Sequence, residues 1–112
     1  MNTDESAATI RLWACFRFRD VDTMTAWLRA IGFVEHETHR DESGTVVHAQ
    51  WLWPGGGGIM FGSDREDSPL QPPGSGATYL VTDDPDAVFD AAVAAGAAVE
   101  QPMVDQPYGG RG

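Results

Sequence analysis

The sequence predicts an α+β fold of two βαβββ modules, the second stopping two strands short of the first. The main observation is a stretch written twice, 64 positions apart. The first copy is Phe16-Arg-Phe-Arg-Asp20-Val-Asp22, an amphipathic run, then Gly32 and Phe33-Val-Glu35; the second is Leu80-Val-Thr-Asp-Asp84-Pro-Asp86, a helical run, then Gly96 and Ala97-Ala-Val99. Each reads as strand, capped helix, glycine stop and strand, and a repeat of that size implies two similar modules with a pocket between them. The second observation is length: 112 residues with 42% apolar content suit one soluble globular domain with a modest core.

Residues 1–9 read as a disordered polar tail. From Ile10 to Phe18 the chain alternates, with Ile10, Leu12, Ala14, Phe16 and Phe18 on one face and Arg11, Trp13, Cys15, Arg17 and Arg19 on the other, which predicts a strand. Asp20 stands where an N-cap belongs and Asp22 complements the helix dipole. Val21, Met24, Trp27, Leu28 and Ile31 follow at helical spacing, and Gly32 is the left-handed stop. Strands are predicted over 33–40 and 45–53, joined by the turn Asp41-Glu-Ser-Gly44. Pro54 and the glycines 55–58 then lead into a short strand over 59–61. The first module is assigned to residues 10–62.

Residues 63–76, rich in Pro, Gly and Ser, form the expected linker. The second module, 77–112, begins with a strand over 78–82. Asp84 then caps a helix with Pro85 in its first turn, where a missing N–H costs nothing. Val88, Phe89, Ala92 and Val93 give that helix its apolar face and Gly96 ends it. A strand over 97–104 follows, then the turn Tyr108-Gly-Gly-Arg-Gly112.

Charge and composition exclude several functions. With 17 acidic against 7 basic residues the net charge is −10, and the arginines are scattered, so nucleic acid is not an expected partner. No apolar run approaches the ~20 residues of a membrane span. The acidic start lacks the basic-then-apolar order of a signal peptide, and a single cysteine, Cys15, permits no internal disulfide. A cytoplasmic location is expected. Gly55–Gly58 lacks the Lys and Ser/Thr of a phosphate loop. Asp83, Asp84 and Asp86 read as helix capping in preference to a calcium site.

In its order of elements the chain resembles the glyoxalase/bleomycin-resistance/dioxygenase family, the vicinal oxygen chelate superfamily. The residues that carry the resemblance are Phe16-Arg-Phe-Arg-Asp20, Ile31-Gly-Phe33, His48-Ala-Gln-Trp-Leu52 before the glycine-rich turn, Val81-Thr-Asp-Asp-Pro-Asp86 and Asp105-Gln-Pro-Tyr-Gly-Gly-Arg111. It covers roughly residues 10–112. The resemblance implies a curved, incomplete barrel around an inter-module cavity, with helices outside, and a homodimer. It also implies a further segment and final strand after the last turn. With the chain as given, loosening after Val104 or completion of the sheet by a second copy is expected.

In metal-using relatives, His, Glu or Gln on the first and last strand of each module hold a divalent ion. The repeat places those positions at Trp13, Met60 and Ala77. Trp and Ala do not ligate, and a thioether suits hard divalent ions poorly, so no metal and no cofactor is expected. The expected function is binding of a small molecule in the cavity, lined by Trp13, Arg17, His48, Gln50, Met60, Tyr108 and Arg111. A rival is a metal-dependent or metal-free enzyme of the same superfamily, a glyoxalase-type lyase, isomerase or dioxygenase, using a residue such as His48. His48 and Gln50 share one face of their strand, Trp51 and Trp53 the other. Which face meets the cavity stays open from sequence.

Overall fold

The protein is described from a computed structural model covering residues 10–65 and 72–112. The expected tail and the linker residues 66–71 lie outside the described residues. The elements are β1 (Trp13–Phe18), α1 (Val21–Ile31), β2 (Val34–Arg40), β3 (Val46–Leu52), β4 (Gly58–Ser63) and α2 (Pro85–Ala94). The four strands form one mixed sheet in the order β1-β4-β3-β2. β1 runs parallel to β4, and the other two pairs are antiparallel. The α+β class and the βαβββ order of the first module stand as expected.

The written repeat is also a repeat of hydrogen bonds. Asp20 accepts from the Thr23 N–H at 3.1 Å, and Asp84 accepts from the Ala87 N–H at the same distance. At the far ends, the Phe33 N–H reaches the Leu28 carbonyl and the Ala97 N–H reaches the Ala92 carbonyl, both at 3.0 Å. Gly32 and Gly96 turn the chain there at φ of 117° and 110°, a region where a Cβ is strained.

One face of the sheet carries the core. Val21, Leu28 and Ile31 of α1 pack on Val46, Ala49, Trp51, Ile59 and Phe61, with Phe33 beside them, and Val88 and Ala92 of α2 join from the edge. Trp51 is 1% exposed, so this face, and not the one bearing His48 and Gln50, holds the aromatic core. The Trp27 indole donates to the Ala92 carbonyl at 3.1 Å and ties the two helices together.

The second module departs from expectation. Among the described residues 78–82 and 97–104 join no strand of the sheet, so neither predicted strand is present; only Val104, at the end of the second, pairs, exchanging backbone hydrogen bonds with Gly112 in the last turn. Alternation allows a strand, but pairing needs a partner edge. The stretch 78–82 is held by side-chain contacts instead: the Leu80 side chain packs on the core, and the Val81 carbonyl accepts from the Trp53 indole at 2.9 Å.

Candidate functional site

Strand alternation puts two different surfaces on the sheet. Opposite the helices, the paired positions are Trp13 with Gly58, Cys15 with Met60, and Arg17 with Gly62 across β1 and β4. Met60 pairs in turn with Gln50, Gln50 with Glu37, and His48 with His39. Five residues singled out from sequence, Trp13, Arg17, His48, Gln50 and Met60, therefore share one open face. Trp51 and its helix-side neighbours are on the other.

Local detail arranges these side chains. A Cβ at Gly58 would lie 2.5 Å from Trp13 Cζ3 and 2.8 Å from Cε3, so glycine there lets the indole lie across β4. Gly62 does the same for the Arg17 guanidinium, where a Cβ would also meet the Val47 carbonyl oxygen at 2.8 Å. His48 Nε2 and Gln50 Oε1 are 2.9 Å apart, which orients the imidazole. The His39 ring stacks on that of His48 with centroids 6.1 Å apart, and His39 Nε2 lies 3.4 Å from Glu37 Oε2. Neither His39 nor Glu37 is among the site residues expected from sequence. A β-bulge between Glu35 and Glu37 shifts the parity of β2, and alternation alone carries no sign of it.

The two predicted residues of the last turn are elsewhere. Tyr108 is exposed, and Arg111 forms ion pairs with Asp86 at 2.8 Å and Asp105 at 3.2 Å. Those carboxylates, Asp86 first, raise the Arg111 pKa. Neither residue lines either of the two clefts described next.

The larger cleft, of 890 Å³, lies at the end of the sheet. Its walls include Trp13, Phe33, Trp53, the hairpin Pro54–Gly58 and the segment 78–84. The smaller, of 360 Å³, runs beside β1 between Ala14–Arg17 and the stretch Gly74–Ala77. Ala77, the third position tested for a metal, thus sits beside Cys15 and Arg17.

The donors at hand do not fit a hard divalent ion. Trp13, Met60 and Ala77 offer one thioether between them, and the β1 neighbour of Met60 is the thiol of Cys15. Among the described residues no group of three or more His, Cys, Asp or Glu converges on one point. No helix among them is long and apolar enough to cross a membrane.

Comparison with known proteins agrees with the geometry. The crystal structure of TioX from Micromonospora sp. ML1 is similar, with a TM-score of 0.65 and 28% identity, over 90% of this chain and 84% of that one. No curated protein matches the chain. The sequence profile of the Glyoxalase/Bleomycin resistance protein/Dioxygenase superfamily matches residues 11–112. With the repeated capped helices and the β1-β4-β3-β2 sheet, that match places the chain in the Glyoxalase/Bleomycin resistance protein/Dioxygenase superfamily.

Proposed function

We propose that the protein binds a small, flat, amphipathic molecule on the open face of its sheet, without metal and without changing it chemically. The observation that carries this reading is the convergence of Trp13, Arg17, His48, Gln50 and Met60 on one face from three strands. The Trp13 indole offers a stacking surface, Arg17 a positive charge, the His48–Gln50 couple a polar anchor, and Met60 a soft, polarizable contact. A rigid sheet holds these groups in place before the ligand arrives, which lowers the entropic cost of binding.

The same reading takes residues 63–76 as the joint between the modules and a homodimer as the working form. Its support is the edge of β1 away from β4, which pairs with no strand among the described residues. A cytoplasmic location fits an exposed, unpaired Cys15.

The test is a titration with a panel of aromatic and glycopeptide compounds in the presence of a chelator, followed by chromatography of the recovered ligand. Saturable binding that weakens in His48→Ala and Gln50→Ala, with the ligand returned intact, is expected. Failure of the whole panel to bind would reject the reading. The rival, an enzyme of the same superfamily, draws support from the oriented His48 imidazole on that face. It would be favoured by a new product whose formation His48→Ala abolishes.

A further inference from the structure

The 890 Å³ cleft is not part of the open face. Apart from Trp13 and its partner Gly58, which stand at the boundary, its sheet residues are Ala14 and Ile59 from the helix-bearing side, joined by Ile31, Phe33 and Val88. Cys15, Arg17, His48, Gln50 and Met60 do not line it. We propose that this cleft is a second binding site, for a flat aromatic ring carrying a positive charge.

Three features point to that ligand. The walls are aromatic and fixed in place: the Trp53 ring packs on Phe33 with centroids 5.0 Å apart at 52°, and its N–H is tied to the Val81 carbonyl. Trp13 stands at the same cleft, with its ring across Gly58. Two indoles are the side chains that best accept both a stacked ring and an adjacent cation. The rim is acidic. Asp84 is committed to capping α2, but the Asp83 carboxylate beside it has no hydrogen-bond or ion-pair partner among the described residues. Among the described residues no Lys, Arg or His lines the cleft to neutralise Asp83, and the chain's net charge of −10 adds long-range attraction for a cation.

The rim also holds apolar surface that the fold leaves uncovered. Leu12, Tyr79 and Val81 are 81%, 83% and 74% exposed, and all three line this cleft. A ring entering between the hairpin and the segment 78–84 would cover them. The hairpin depends on glycine for its shape, since Gly55, Gly56 and Gly57 all have positive φ. With no side chains there, the mouth stays open to a planar molecule.

The experiment follows the tryptophan indole N–H signals of the full chain by two-dimensional NMR. The probes are 2-naphthylmethylammonium, neutral 2-naphthylmethanol and 2-naphthoate, which share one ring and differ in charge. The Trp53 signal, assigned with Trp53→Phe, should shift saturably with the ammonium probe and at least about fivefold more weakly with the carboxylate. Asp83→Asn should erase most of that preference, and Tyr79→Ser should weaken all three probes; both positions are exposed, so the fold tolerates the changes. The proposal is overturned if the Trp53 signal does not move, or if the three probes bind equally well. It is also overturned if shifts appear only at Met60 on the opposite face, a result that would leave the open-face reading intact.

Discussion

Trp13 and Gly58 are partners across β1 and β4, and the indole occupies the space where any other residue at 58 would place its Cβ. The contact sets the tilt of the ring that separates the open face from the end cleft. Gly58→Ala should displace Trp13, at a cost of about 1–3 kcal/mol typical of overpacking. Urea unfolding measures the cost. A red shift of tryptophan emission reports the displaced ring, and an unchanged spectrum would show that the ring does not depend on Gly58.

Trp51 should matter most for stability and least for binding. It is 1% exposed, packs against Phe61 with the two rings tilted at 49°, and has the Arg29 guanidinium 4.9 Å above its ring. Truncation to alanine should cost about 3–5 kcal/mol, a large share of the stability of a domain this size. Trp51→Phe should retain most of it and leave ligand affinity on the open face within about twofold. A large loss of affinity in a well-folded Trp51→Phe protein would place Trp51 in the site instead of the core.

The segment 78–82 has side-chain anchors in place of a ladder, so it should open more easily than the sheet. Trp53→Phe removes the bond to the Val81 carbonyl, worth about 1 kcal/mol. Limited proteolysis should quicken across 78–84 while β3 and β4 stay resistant. Equal acceleration in both regions would mean that Trp53 supports the whole fold.

Two exposed carboxylates make stability fall in acid. Hydrogen bonds from the Thr23 hydroxyl and then its N–H hold the Asp20 pKa below its ordinary value. The Ser43 hydroxyl, followed by the Thr45 N–H, does the same for Asp41. Because the folded values are depressed, the contribution is complete above the ordinary carboxylate value near 3.8 and is lost as pH falls through the folded values. Thermal midpoints measured from neutral to strongly acidic pH should therefore drop on the acid side. The acid limb should be shallower in Asp20→Asn. An identical limb in that variant would remove Asp20 from the explanation.

How much of this was legible in the sequence follows from how local each feature is. The caps at Asp20 and Asp84 and the stops at Gly32 and Gly96 are decided within a few residues, and they form as expected. Strand alternation placed Trp13 with Arg17, and His48 with Gln50. It did not show which face the helices cover, because that depends on pairings between distant strands. The bulge that turns Glu37 and His39 to the open face is a register feature that no residue type marks. The strands expected over 78–82 and 97–104 failed for the same reason, since their alternation says nothing about a partner edge. Tyr108 and Arg111 were placed near the cavity by resemblance alone, and the acids Asp86 and Asp105 hold Arg111 away from the other predicted residues.

The central claim, a metal-independent ligand site on the open face, is tested most directly at the Met60 methyl. Its NMR signal, assigned with Met60→Leu, would be followed during the ligand titration with and without a chelator. A saturable shift, unchanged by the chelator and accompanied by a shift of His48, is the predicted result. A Met60 signal that never moves, or moves only when a divalent metal is supplied, would contradict it.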